Sequence, residues 1–285
     1  MRNQHPAPGL SRRDFLHAGT ALAITSDILA LRVSHSASLP DQPRRSPAVP
    51  VTKVKALVFD VFGTVVDWRT SIIAAVKVFA ELHHINIDAK HFADSWRAGY
   101  APAMNRVRAG DLPWTNLDSL HRMILDRLLA DVGAAGLPEA DIENLNRAWH
   151  RLTPWPDVVN GLARLKSKFT IAPLSNGNIA LMTDLAKYAG LPWDCILGAE
   201  LVRHYKPDRE VYDSAPAYLE LKPAEVMMVA AHLQDLRAAK AAGLATGFVS
   251  RPLEFGGTRQ PDLNADASAD VVATDFGDLA RQLGA

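Results

Sequence analysis

Val54-Lys55-Ala56-Leu57-Val58-Phe59-Asp60-Val61-Phe62-Gly63-Thr64-Val65 is the stretch on which the fold turns. Val54 to Phe59 is a short apolar run that stops at a carboxylate. A run of this length, apolar at successive positions, reads as a strand buried on both faces. Three similar runs follow, at Phe169 to Leu174, Val226 to Ala230 and Ala245 to Val249. Helical patterns alternate with them at Asn178 to Tyr188, Asp208 to Leu219 and Leu233 to Ala242. Gly190 and Gly243 stand where the first and last of these should stop, since glycine adopts the left-handed conformation that closes a helix. The alternation predicts an α/β fold, a doubly wound parallel sheet with helices on both faces.

Residues 71–153 break the alternation. Ile72 to His83, Phe92 to Arg108, Leu117 to Val132 and Pro138 to His150 carry the spacing of amphipathic helices, and no strand pattern lies among them. The organisation expected is therefore a core in two parts, 54–70 and 154–285, with a helical cap at 71–153 inserted after the first strand.

Residues 1–38 read as an address. Arg12-Arg13 precedes an apolar stretch from Phe15 to Leu31, interrupted by Asp27. The charge-free part is too short to span a bilayer and fits the apolar region of a signal peptide. Ser11-Arg12-Arg13-Asp14-Phe15-Leu16 resembles a twin-arginine export signal, which implies delivery to the periplasm, or a cytoplasmic enzyme if the signal does not function. Residues 39–53 are proline-rich and read as an extended linker.

The bulk properties exclude several classes. The 285 residues are 48% hydrophobic and 22% charged, which is ordinary globular composition. The 31 basic and 31 acidic residues cancel, so there is no electrostatic case for nucleic acid or an anionic membrane. One cysteine, Cys195, precludes an intrachain disulfide and a cysteine-rich zinc site. It reads as a small buried hydrophobe.

In an open parallel sheet, ligands bind beyond the carboxyl ends of the strands. Four polar clusters fall there. They are Asp60-Val61-Phe62-Gly63-Thr64, Ser175-Asn176-Gly177, Lys206-Pro207-Asp208, and Ala231-His232-Leu233-Gln234-Asp235. Each alone could be a turn or a helix cap. Together they bring two carboxylates, a small hydroxyl and a lysine to one edge.

These clusters resemble the four motifs of the haloacid dehalogenase superfamily of aspartate-nucleophile hydrolases. Phe59-Asp60-Val61-Phe62-Gly63-Thr64-Val65 with Asp67, Leu174-Ser175-Asn176-Gly177, and Tyr205-Lys206-Pro207-Asp208 with Tyr212 are similar to the type II 2-haloacid dehalogenases. The resemblance covers residues 54–285. It implies that Asp60 attacks C2 of a short 2-haloalkanoic acid, displaces halide with inversion and forms an ester that water cleaves. It implies that Lys206 keeps Asp60 ionised, Thr64 orients it, Ser175 holds the substrate carboxylate, and Asp235 activates the water. Arg97, in the Trp96-Arg97 pair, would receive the halide, with Asn176 assisting and Trp114 as an aromatic wall. The family implies no metal and no cofactor, the small 2-halo acid as partner, no stable membrane anchor, and a possible homodimer.

Phe62 separates this reading from its alternatives. Phosphatases of the superfamily carry a second aspartate there, because an alkoxide must be protonated as it leaves. Halide leaves without a proton, and a phenyl ring supplies none. A Mg²⁺-dependent phosphoryl hydrolase and a non-catalytic binding protein on the same scaffold are the other two readings. Some residues keep structural alternatives. Arg97 could be a solvated surface residue, Trp114 could be cap core, Tyr212 could simply pack, and Thr64 could be a helix cap. His232 stands where an asparagine is usual, and Ala230-Ala231 where serines are often seen. His232 could position water, act as a base, or bond the loop backbone.

Overall fold

The computed structural model describes residues 53–257 and 259–285. Residues 1–52, which hold the expected export signal and all but the last residue of the expected linker, lie outside them. Among the described residues no helix is long and apolar enough to cross a membrane.

Strand β1 (Ala56–Phe59) is buried at all four positions. A two-stranded ribbon follows from it, formed by β2 (Val66–Asp67) pairing antiparallel with β3 (Thr153–Pro154). Between those short strands run five helices: α1 (Trp68–Leu82), α2 (Ala89–Ala98), α3 (Tyr100–Arg108), α4 (Leu117–Asp131) and α5 (Glu139–Asn146). The stretch expected as one helix over 92–108 is two helices that meet at Gly99. A Cβ at Gly99 would lie 2.8 Å from the Ile124 side chain, so α4 packs against bare backbone there. The last expected helix ends early, in a 3₁₀ turn at Arg147–His150.

The chain then re-enters the sheet domain through α6 (Val158–Lys166), β4 (Thr170–Ser175), α7 (Ile179–Ala189), β5 (Leu197–Gly198), α8 (Ala199–Val202) and α9 (Arg209–Tyr218). It ends with β6 (Val226–Ala230), α10 (Leu233–Ala241), β7 (Ala245–Val249), β8 (Val271–Ala273) and α11 (Phe276–Gln282). The described sheet has six strands in the order β5-β4-β1-β6-β7-β8, every pair parallel. The chain leaves β1 toward β4 on one side and later returns to β6 on the other. That reversal makes the carboxyl ends of β1 and β6 the switch point where a crevice opens.

Strands β5 and β8 and helices α6, α8 and α11 were not legible as elements. The two strands are two and three residues long, too short for periodicity to register.

Cap and core share an aromatic cluster. Trp68, Trp96 and Trp149 are fully buried. Trp149 stacks on Trp68 at 6.2 Å and on His121 at 4.3 Å, and meets Trp96 and Phe62 edge-on at 5.6 and 5.8 Å. Each such pair contributes about 0.5–1.5 kcal/mol beyond the area it buries. Burial holds the His121 ring down at about 3, against a smaller upward pull from Asp118. It is therefore a neutral aromatic plate at physiological pH.

A second clamp holds the far side of the site. Arg251 donates to the Thr64 carbonyl at 2.8 Å and grips both oxygens of Asp157 at 2.8 and 2.9 Å. Asp157 also accepts from the Phe276 N–H at 2.8 Å. Burial acts to raise the Asp157 carboxyl, but Arg251 and that N–H hold it below its ordinary value. Asp157→Ala leaves Arg251 buried without its anion, which should cost about 3 kcal/mol or more. A thermal midpoint at neutral pH within 2 °C of wild type (roughly 1 kcal/mol) would refute this. A group with a depressed folded pKa stabilises above its unfolded pKa and loses that effect as pH falls. The deficit of the variant should therefore shrink in acid.

Candidate active site

Asp60 follows β1 directly, and its N–H continues the ladder by donating to the Val229 carbonyl at 3.0 Å. This fixes its carboxylate at the switch point beside the end of β6. The turn that follows needs Gly63. Its φ is +90°, and a Cβ there would lie 2.2 Å from Glu254 Oε1. Thr64 then comes back over the nucleophile, and its hydroxyl donates to Asp60 Oδ2 at 2.8 Å while accepting from the Ala231 N–H at 2.9 Å. Thr64 is an orienting residue with both hydrogen-bonding functions in use.

Lys206 enters from the segment before α9. Its Nζ lies 2.7 Å from Asp235 Oδ2 and 3.6 Å from Asp60 Oδ1, so one ammonium bridges two carboxylates. Tyr212 donates its hydroxyl to Asp235 Oδ1 at 2.5 Å; it does more than pack. Asn176 accepts from the Lys206 backbone N–H at 2.7 Å through Oδ1. Arg108, from the cap helix α3, donates to Asp208 at 2.8 Å, to the Tyr205 carbonyl at 2.9 Å and to the Lys206 carbonyl. The cap thereby holds the backbone that carries the lysine.

His232 precedes α10 and lies between two acids. Its Nδ1 is 3.0 Å from Asp60 Oδ2, and its Nε2 is 3.0 and 3.1 Å from the two oxygens of Glu254. Glu254 is buried at 2% exposure and also accepts from the Trp68 indole at 3.3 Å. The electrostatics follow from these contacts. Burial alone would raise the Asp60 carboxyl. Lys206, His232 and Thr64 outweigh it and hold the group well below the usual carboxylate range. Asp235 goes the other way, with burial and the Asp60 charge prevailing over Lys206 to raise it. The site thus holds one carboxylate kept ionised and one made more basic.

A cleft of about 1000 Å³ opens over these groups, lined among others by Asp60, Phe62, Arg97, Asn176, Lys206 and His232. Arg97 comes from α2 and is half-buried, with its guanidinium 4.2 Å from the Tyr100 ring centre and 5.7 Å from that of Trp68. Among the described residues no carboxylate pairs with it, whereas its neighbours are paired. Asp94 is held by Arg69 at 2.7 Å and Asp208 by Arg108.

Three expected site residues do not line the cleft: Thr64, fully buried where it orients Asp60, and Trp114 and Ser175. Trp114 meets Tyr205 in a tilted contact at 4.9 Å and packs against the core. The Tyr205 hydroxyl donates to the Thr115 carbonyl at 2.5 Å, which ties this loop to the segment before Lys206. Ser175 is fully buried, and its hydroxyl accepts from the Gly177 N–H at 3.0 Å. It shapes the turn behind Asn176 rather than facing a ligand. Conversely Glu254, Trp68 and Tyr100 line the cleft and had not been singled out. An imidazole beside the nucleophile was the available signal for Glu254, since it invites a second anion. Trp68 and Tyr100 look like any apolar position on a helix.

Residues 54–243 match the model of the haloacid dehalogenase-like hydrolase family. (S)-2-haloacid dehalogenase 1 of Pseudomonas sp. (strain CBS-3) is 30% identical over 203 residues, 70% of this chain and 85% of that protein. A solved structure described as a defluorinating L-2-haloacid dehalogenase is 49% identical with a TM-score of 0.79, covering 81% of this chain and 96% of that one. Another L-2-haloacid dehalogenase structure is 48% identical with a TM-score of 0.76, covering 81% and 99%. An aspartate at the switch point, a lysine bridge and a capped cleft thus occur in a chain that belongs to the haloacid dehalogenase-like hydrolase family.

Proposed function

We propose that the protein is a hydrolytic dehalogenase of short 2-haloalkanoic acids. The observation that carries the reading is the guanidinium of Arg97, which has no anionic partner among the described residues and opens on the cleft above an ionised aspartate. A cation left unpaired at that place suits an anion that arrives with the substrate or departs from it. Phe62 lines the same cleft at 3% exposure. It offers no proton, so a leaving group that needs one is poorly served.

The chemistry follows from the two carboxylates. Asp60 Oδ1 attacks C2, the carbon–halogen bond breaks, and the electron pair leaves with the halide toward Arg97. Configuration at C2 inverts. Water then attacks the carboxyl carbon of the resulting ester. Asp235, raised in basicity by burial, takes a proton from that water and returns it to the departing hydroxyl of the product. The Cγ–Oδ1 bond breaks, and Asp60 ionises again with release of a proton. With Ser175 behind the wall, the substrate carboxylate is assigned to Asn176 and Arg97.

A single turnover in ¹⁸O-water tests this directly. The first product should be unlabelled and Asp60 should carry the label, because the new hydroxyl oxygen comes from the aspartate. Label in the first-turnover product would show water attacking C2 instead. The substrate panel should include 2-fluoro acids, given the relative described as defluorinating, with phosphate esters in parallel.

Arg97→Ala should lower kcat/KM for halide release by roughly 10²–10³-fold, the scale of losing one preorganised charge-stabilising donor. The thermal midpoint should hardly move, since the guanidinium forms no ion pair among the described residues. Turnover near wild type would remove Arg97 from the halide site.

A further inference from the structure

We propose that His232 works as a fixed imidazolium which stabilises the oxyanion of ester hydrolysis, with Glu254 as the residue that positions and charges it. The inference rests on the dehalogenase reading above and deepens it.

Both ring nitrogens face carboxylate oxygens, 3.0 Å to Asp60 on one side and 3.0 Å to Glu254 on the other. An ionised carboxylate only accepts hydrogen bonds. A neutral imidazole would turn a lone pair toward one of the two, so this arrangement calls for a ring protonated on both nitrogens. Other charged groups surround it. Lys206 from the loop before α9 and Asp235 on α10 flank Asp60, while Arg259 and Asp262 from the loop after β7 line the same cleft. Burial works against a charged ring, yet the bonds to Asp60 and Glu254 lift His232 to about 10.

The two oxygens of Asp60 are not equivalent. Oδ2 accepts from Thr64 at 2.8 Å and from His232 at 3.0 Å. Oδ1 faces Lys206 at 3.6 Å and is the freer one to attack. Oδ2 therefore becomes the carbonyl oxygen of the ester. When water adds to Cγ, the electron pair of that carbonyl moves onto Oδ2, where two donors already point. Donors in place before the charge develops are what stabilises a tetrahedral intermediate. When the intermediate collapses, the pair returns to the carbonyl and the Cγ–Oδ1 bond breaks. With Asp60 esterified and uncharged, the ion pair to Glu254 holds the proton on the ring, and the base is Asp235.

The experiment follows the ester. Wild type, His232→Leu and Glu254→Gln are mixed with 2-chloropropionate from pH 6 to 10. Halide is measured by rapid quench, and covalent ester by the intact mass of the denatured protein. His232→Leu, which removes the donor to Oδ2, should release about one equivalent of halide per site in a burst. Its ester should then break down roughly 10²–10³-fold more slowly than in wild type. In Glu254→Gln, ester breakdown should lose rate at a lower pH than in wild type, because the ring gives up its proton sooner, and recover toward pH 6. A merely structural role for Glu254 would not move that limb. Ester breakdown that rises with pH as the ring deprotonates would make His232 a base and overturn the inference. So would wild-type breakdown in His232→Leu. Wild-type enzyme that forms no ester and releases no halide would instead overturn the dehalogenase reading, and this inference with it.

Discussion

Asp60→Asn should abolish halide release, with kcat falling roughly 10⁴-fold or more, the scale seen when a covalent nucleophile is removed. The replacement is isosteric, so the fold has little reason to change. Thr64 can still donate to the amide oxygen, and Lys206 keeps its 2.7 Å partner Asp235. What disappears is the anion. A neutral amide oxygen is a poor nucleophile toward C2, and the other carboxylates lining the described cleft are engaged, Asp94 by Arg69, Asp208 by Arg108 and Asp262 by the Leu233 N–H. Asp235 is committed to Lys206 and Tyr212, and Glu254 is buried behind His232 and the Trp68 indole. The variant should therefore form no ester detectable by mass while retaining its circular dichroism. Residual turnover above about one-hundredth of wild type would show that a different group attacks.

The same residues show why parts of the site could be read from sequence and others could not. Buried parallel strands are continuous apolar runs, so β1, β4, β6 and β7 stood out, and with them Asp60, Asn176, His232 and Asp235 at their carboxyl ends. Lys206 was found because it opens a helix in the right order. Glu254 belongs to the irregular stretch between β7 and β8, where no period marks an inward-facing side chain. It is placed by tertiary contacts, above all Arg251 gripping Thr64 and Asp157. Trp114 failed for a related reason. An aromatic residue next to a proline can face either way, and here the Tyr205 ring decided the direction. Ser175 lies at a strand end, but the last residue of β4 points inward. Asn176, one residue later, is half-buried and lines the cleft.

Lys206→Met should give the second large effect, and it separates stability from catalysis. The ammonium stands between two carboxylates whose side chains are 15% and 9% exposed. Removing it leaves two anions in one poorly hydrated site, and like charges at that distance cannot both remain ionised near neutral pH. Asp60 keeps its donors from Thr64 and His232, so the added proton settles on Asp235. Once Asp60 is esterified its charge is gone, but burial without the ammonium still keeps Asp235 protonated, and a protonated carboxyl cannot accept a proton from water. Ester should therefore accumulate at pH 7 with turnover reduced roughly 10³-fold, within the range of losing a general base. Turnover should recover as pH rises and Asp235 ionises. Stability should move the opposite way. Breaking a buried pair by removing one partner costs about 3–5 kcal/mol. A carboxylate whose folded pKa lies above its unfolded value destabilises once pH exceeds the unfolded value, and that cost is relieved as pH falls. The thermal midpoint of the variant should thus lie far below wild type at pH 8 and approach it near pH 4.5. Activity rising and stability falling over one pH range is the signature of Asp235 titrating without its lysine. A variant with an unchanged midpoint at pH 8 and normal turnover at pH 7 would show that the bridge contributes to neither.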